Sequence, residues 1–318
     1  MTSPLASLLY AGLRCFQRRD RLSVLVFHRV LKEPDPLRPG HPTAAEFEEA
    51  LTMLRAGFHV VSLAEGLAGL DAGTLPRGSV ALTFDDGYRD NLTLAVPALA
   101  RSGMTATFFV ATGYADGGWM WNDRVIEAIG RSKKATLDLG DEGLGAHSLA
   151  RVEDRVAAVE ALLPRIKYLP PVQRDRVVDR MVDRCGVRLG AGPMLSVDEI
   201  RAMHRQGMEI GAHTRSHPIL TQVGPAEAQA EILGSRRDLE DWLQAPVAYF
   251  AYPNGRYLRD YDDTHVEAVR AAGFRAAVAT RLGTAVPGTI RFRIPRFAPP
   301  RWAPFGFWSY VTRSRERV

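Results

Sequence analysis

Ser79-Val80-Ala81-Leu82-Thr83-Phe84-Asp85-Asp86-Gly87 is the stretch on which the fold is read. Six residues of strand character run without a break into two carboxylates and a glycine. A helical pattern over 92–101, closed by Gly103, follows, and then a strand over 106–110. Strand, helix and strand at this rhythm form a parallel β/α unit rather than a hairpin. Upstream, residues 22–27 read as a buried strand that ends at His28. Thr43, three residues before Glu46, caps a helix through Phe47, Leu51 and Leu54 that Gly57 stops, and residues 59–63 read as a second short strand.

The rhythm breaks between about 113 and 192, where the chain is charged, helix-prone and punctuated by Pro164, Pro170 and Pro171. It resumes with a Ser196…Glu199 capping box and a strand over 208–212. Helices over 226–243 and 264–272 then alternate with strands over 247–250, 276–279 and 290–297. About seven parallel strands separated by helices predict an α/β protein, a distorted (β/α) barrel with a mainly helical insertion at 114–192. The expected organisation is an amphipathic segment over 1–20, one barrel over 21–300 and a basic, aromatic tail over 301–318.

Composition narrows the field. At 318 residues, 46% apolar and 24% charged, the chain can bury a large core without staples, and it is not a disordered polymer. Cys15 and Cys185 are too few for a disulfide framework. No apolar run reaches the length of a spanning helix. The apolar stretch 4–13 is followed, not preceded, by arginines, the wrong order for a secretory signal, so a cytoplasmic location is expected. Net charge is +5, and residues 291–318 hold seven arginines against one acid, Glu316. No nucleic-acid-binding motif accompanies that charge, so nucleic acid is not an expected partner. Peripheral contact with an anionic membrane through the termini is the second use of such a tail; arginines on the solvated side of a packed segment are the first.

The reactive residue types fall at strand ends, where barrels and open α/β sheets place their sites. Neighbouring carboxylates on an extended chain diverge, so of Asp85 and Asp86 one can bind a cation while the other stays available as a base. His213-Thr214-Arg215-Ser216-His217-Pro218 puts two imidazoles on one loop. Two histidines and one carboxylate make a catalytic rather than a structural metal set, since three protein ligands leave room for water and substrate. His28 ends the first strand and has an ordinary pKa suited to proton exchange near neutrality. Phe250-Ala251-Tyr252-Pro253-Asn254-Gly255 ends another strand in a turn able to aim a backbone N–H. Arg296 is a cation near the end of the last strand.

Thr83–Gly87, His213–Pro218 and Phe250–Gly255, in that order, resemble the polysaccharide deacetylase family (NodB-homology, carbohydrate esterase 4). The resemblance spans roughly 22–297 apart from the insertion. It implies a distorted (β/α) barrel, one divalent metal and hydrolysis of an N-acetyl group on a glycan. Position by position, it implies Asp85 as the base, Asp86, His213 and His217 as metal ligands, and the Asn254 N–H, in the Tyr252-Pro253-Asn254 turn, as the oxyanion donor. The third motif lacks an arginine ahead of its proline, and no later Leu-x-His supplies an acid. In both respects the chain is similar to the branch acting on exopolysaccharide poly-N-acetylglucosamine. That likeness makes His28, in Phe27-His28, the general acid and Arg296 the arginine that orients Asp85. Zn²⁺ is the first choice for such ligands, with Ni²⁺, Co²⁺ or Fe²⁺ also compatible. Other activities with the same parts are deacylation of a lipid-linked sugar, glycan binding without catalysis, and phosphoester hydrolysis.

Overall fold

A computed structural model describes residues 20–298, so the expected tail and, Asp20 apart, the N-terminal segment lie outside it. The chain divides into two units: residues up to Glu33, His41–Ala115 and from Leu195 make the first, and Pro34–Gly40 with Asp116–Met194 the second.

In chain order the strands are β1 (Ser23–Phe27), β2 (His59–Val60), β3 (Ser79–Phe84), β4 (Thr107–Val110), β5 (Thr136–Leu139), β6 (Gly145–Ser148), β7 (Glu209–Ala212), β8 (Tyr249–Ala251), β9 (Ala276–Thr280) and β10 (Ile294–Arg296). The helices are α1 (Ala44–Gly57), α2 (Leu63–Ala72), α3 (Val96–Arg101), α4 (Trp121–Arg131), α5 (Val152–Lys167), α6 (Pro171–Cys185), α7 (Val197–Arg205), α8 (Pro225–Leu243) and α9 (Asp263–Ala271). Seven strands pair in parallel in the order β1-β3-β4-β7-β8-β9-β10, with β2 beside β3. Val26 N–H donates to Phe297 O at 3.1 Å and Phe297 N–H to Val24 O at 3.1 Å, which brings the last strand back to the first. The first unit is therefore a nearly closed, distorted (β/α) barrel, as the strand rhythm implies.

Alternation along the strands sorts the side chains. Val80, Leu82 and Phe84 of β3 point outward into a cluster with Phe47, Leu51 and Leu54 of α1 and with Ile232 and Leu239 of α8. Phe27, Phe84 and Phe108 stack in sequence across neighbouring strands, with centroids 5.1 and 4.8 Å apart. Burying each such side chain contributes roughly 1.5–3 kcal/mol. Ala81, Phe109, Ala251 and Val278 face inward and pack with Leu63, Leu67 and Leu70 of α2. At Gly211 a Cβ would come within 2.5 Å of the Phe109 ring, so a glycine there lets that ring fill the barrel beneath the site.

Two elements differ from the sequence reading. Residues 59–63 are not one strand: β2 stops at Val60 and Ser62 caps α2, its side chain exchanging hydrogen bonds with Glu65. In the second unit, α4, α5 and α6 enclose a core of Val125, Leu137, Leu162 and Met181, and this unit also holds the antiparallel hairpin β5–β6. The Pro34–Gly40 loop joins it, with Arg38 paired to Glu127 at 3.1 Å.

Candidate active site

Asp85 lies in phase with Thr83 and Ala81, so its carboxylate points into the mouth of the barrel. Arg296 reaches it from β10, passing inside β1. Nη1 donates to Asp85 Oδ1 at 2.6 Å and Nη2 to Oδ2 at 2.5 Å, and Nη1 also lies 3.3 Å from Thr83 Oγ1. The guanidinium sits 5.5 Å over the Phe109 ring. Arg296 is 1% exposed and Asp85 4%. Burial alone would raise the Asp85 pKa, but the Arg296 charge, His213 and the two hydrogen bonds outweigh it and hold the group at about 2. The carboxylate is thus ionised throughout any working pH range.

Asp86 turns the other way. Its φ of 75°, followed by Gly87 at 90°, breaks the strand and brings the second carboxylate beside the histidine loop. His213 Nε2 and His217 Nε2 each lie 3.6 Å from Asp86 Oδ1, and the two rings are 4.8 Å apart. One ligand atom from each of the three residues falls within 4.8 Å of the others. Donors about 2.0–2.1 Å from a shared tetrahedral ion would stand about 3.4 Å apart, so the cluster has the spacing of a metal site. His213 Nδ1 donates to Ala251 O at 2.7 Å, which leaves Nε2 as the lone-pair atom facing Asp86. Burial, with Arg296 acting in the same sense and Asp85 opposing, lowers the His213 pKa to about 4, so the imidazole is neutral, as ligation requires. Both terminal nitrogens of the Arg296 guanidinium are engaged by Asp85. The residues fit a divalent cation in charge, donor type and spacing.

The histidine loop is strained and pinned. Thr214 and His217 have φ of 62° and 52°, a region that a β-branched residue such as threonine rarely enters. Strain of this kind costs on the order of 1–3 kcal/mol and persists only when the surroundings enforce it. Thr214 Oγ1 donates to His213 O at 2.5 Å and accepts from His217 N–H at 3.1 Å. From α8, Glu231 accepts from Arg215 N–H at 2.7 Å, Ser216 N–H at 2.8 Å and Ser216 Oγ at 2.7 Å. Asp238, two turns further along α8, accepts from Arg215 Nε at 2.8 Å and from Thr112 Oγ1 at 2.7 Å. No local motif announces Glu231 or Asp238; only the packing of α8 brings them under the loop.

The remaining candidates are placed as follows. His28, half-buried after β1, shares the field of the site: burial lowers its pKa, Asp85 raises it and Arg296 lowers it again. The Tyr252 ring is not in the cleft. It stacks on Tyr261 at 3.8 Å and meets Phe250 edge-on in the outer core, so this residue offers the site only backbone. Pro253 is buried in the turn, and Asn254 has φ of 60°. Among the described residues the Asn254 N–H has no hydrogen-bond partner.

The polysaccharide deacetylase family model matches residues 72–155 and 174–277, more than half of the chain. YxkH of Bacillus subtilis (strain 168), whose name places it among the polysaccharide deacetylases, is 21% identical over 271 residues, covering 85% of this chain and 68% of that protein. Two solved structures share the fold. The Streptococcus pyogenes deacetylase PplD in complex with acetate has a TM-score of 0.61 at 19% identity, covering 92% of this chain and 99% of that one. IcaB from Ammonifex degensii has a TM-score of 0.60 at 22% identity, covering 92% and 97%. With the family's three motifs gathered at one mouth of a barrel of this kind, the chain belongs to the polysaccharide deacetylase family and is an amide-hydrolysing deacetylase.

Proposed function

We propose that this enzyme removes N-acetyl groups from N-acetylhexosamine units of a bacterial polysaccharide or its precursor, with a divalent cation, Zn²⁺ first, held by Asp86, His213 and His217. The observation that carries the reading is the convergence of that triad beside a second carboxylate, Asp85, kept ionised by Arg296. When bound, the cation supplies Lewis acidity toward the amide carbonyl and a lowered pKa for water.

The chain's own groups divide the remaining work. Asp85 accepts the proton of the attacking water, and its bidentate hold on Arg296 fixes the direction from which it does so. The Asn254 N–H, without a partner among the described residues, donates to the oxyanion that develops on the carbonyl oxygen; one such donor is typically worth about 2.7–4 kcal/mol. His28 gives a proton to the amine nitrogen as the C–N bond breaks and acetate leaves. It takes that proton from solvent before the C–N bond breaks, and Asp85 returns the proton of the attacking water to solvent as acetate leaves; burial, which lowers the His28 pKa, makes the imidazolium a readier donor. The test is acetate release from N-acetylated oligosaccharides, with formylated and lipid-linked sugars run beside them, before and after chelation and Zn²⁺ return. Acetate release lost on chelation and restored by metal supports the reading; release insensitive to both overturns the metal assignment.

A further inference from the structure

A groove of 570 Å³ lies beside the carboxyl ends of β8 and β9 and the segment that leads from β9 into β10, outside the residues given roles above. Gly255, which follows Asn254, Arg281, which follows β9, and Pro295, beside Arg296, form one side of it. Gly255 O accepts from Thr280 N–H at 2.8 Å and Arg296 O accepts from Arg281 N–H at 3.1 Å, so the groove shares a wall with the catalytic mouth.

Its composition is unusual in two ways. Arg256 and Arg281 line it, both exposed, and among the described residues neither guanidinium forms an ion pair. Six large apolar side chains are exposed among the described residues. Of these, Tyr257 at 37% and Ile290 at 53% line the groove, and Leu258 at 73% and Leu282 at 36% directly follow the lining residues Tyr257 and Arg281 in the chain. Two of these are held out deliberately. Arg293 stacks 3.7 Å over the Tyr257 ring and pairs with Asp263, which also accepts from the Tyr257 hydroxyl at 3.0 Å. Leu258 has φ of 65°, a conformation leucine adopts only at a cost, and is locked there by its N–H donating to Tyr261 O at 2.8 Å.

We propose that this groove docks the enzyme on an anionic lipid surface, Arg256 and Arg281 meeting headgroup phosphates while Leu258, Leu282 and Ile290 enter the acyl boundary. Two guanidiniums without an ion pair beside the exposed Ile290, with Leu258 and Leu282 next in the chain to lining residues, match the chemistry of an anionic bilayer interface. Docking by this face sets the catalytic mouth against the membrane, where a polymer under synthesis or its lipid-borne precursor is met.

The experiment is co-sedimentation of the full chain with vesicles of phosphatidylglycerol and phosphatidylcholine, against phosphatidylcholine alone. The wild type is expected on the anionic vesicles only. Each basic residue near such a surface contributes about fivefold in partitioning, so Arg256→Glu with Arg281→Glu should reduce binding by well over tenfold. Leu258→Gly relieves the left-handed backbone rather than straining it, and together with Ile290→Ser should reduce binding several-fold without loss of thermal stability. Both pairs should keep their turnover of a soluble N-acetylated oligosaccharide. Unchanged vesicle binding in both pairs would place attachment elsewhere in the chain and overturn the proposal. So would a raised KM for the soluble oligosaccharide, which would make the groove a glycan subsite.

Discussion

Two carboxylates point into the barrel from opposite ends of its strands, and their fates differ. Asp85, at the carboxyl end of β3, is gripped by Arg296 and held far below the ordinary carboxylate pKa. Glu209 begins β7, four residues before His213 on the same face, and the only hydrogen bond to its carboxylate among the described residues comes from Thr107 Oγ1 at 2.5 Å. Burial raises the Glu209 pKa and the nearby Glu65 raises it further, while the Thr107 hydroxyl and Arg275 pull it only partly back. Burial acts in the same direction on both groups. What separates them is a guanidinium delivered across the barrel by the last strand, so closure of the ring between β10 and β1 is part of the chemistry as well as of the fold.

Removing the charge of Asp85 should have the largest effect. Asp85→Asn is expected to lower turnover by about 10²–10⁴-fold, the range for a lost general base, while its Zn²⁺ content by elemental analysis stays near that of the wild type. His213→Ala should lose both turnover and metal. Equal metal loss in the two variants would show that Asp85 is a ligand and erase its separation from Asp86.

The pairing itself is tested next. Arg296→Met leaves Asp85 buried without its partner and should cost about 3–5 kcal/mol in unfolding free energy. Adding Asp85→Asn to that variant should restore a substantial part of the stability, since no buried charge then lacks its counterpart. Denaturant melts of the two single variants and the double variant read the coupling directly. Additive losses would mean that the bidentate geometry contributes little and that the low pKa of Asp85 has another source.

Glu231 sharpens the comparison at the metal side, because it acts on His217 only by holding the loop. Glu231→Ala is expected to weaken Zn²⁺ binding about 10–100-fold, the usual cost of losing a supporting contact. Glu231→Gln should recover part of it, since an amide oxygen can still accept from Arg215 and Ser216 N–H. Calorimetric titration of metal into each variant is the measurement; full affinity in the alanine variant would mean that Thr214 alone shapes the turn.

Much of this arrangement is legible in the sequence, and the reason is locality. Strand character running straight into Asp85-Asp86-Gly87, and a histidine pair between a strand and a proline, are signals contained in a few residues. The capping boxes at Thr43 and Ser196 are legible on the same basis, and both form. The Ser62…Glu65 box is equally local, but the apolar run from Val60 has strand character that masks α2 in the sequence. The β5–β6 hairpin is not legible in the sequence because its four-residue strands carry too short an alternation to stand out in a charged, helix-prone stretch. Glu231 lies fourteen residues beyond His217 on a helix face, where a glutamate has no distinguishing mark. Tyr252 was the opposite case: its motif is local, but which face its ring takes depends on Tyr261, brought close by the turn that follows β8.

The smallest effect is expected at Glu209, and it tests the contrast from the other end. Its folded-state pKa lies above the unfolded one, so between those two values the folded chain holds more proton than the unfolded chain. Stability therefore falls as pH rises through that window, the reverse of what a carboxylate with a lowered pKa produces. Glu209→Gln keeps an acceptor for Thr107 and removes the charge, so at pH 7 it should be neutral or stabilising, within about 1 kcal/mol. Urea melts at a series of pH values from 4 upward should show the difference in favour of the glutamine variant growing with pH and then levelling off. If the wild type instead gained stability relative to the variant over that range, Glu209 would have to be a carboxylate held ionised by a cation, and the two ends of the barrel would differ in position but not in kind.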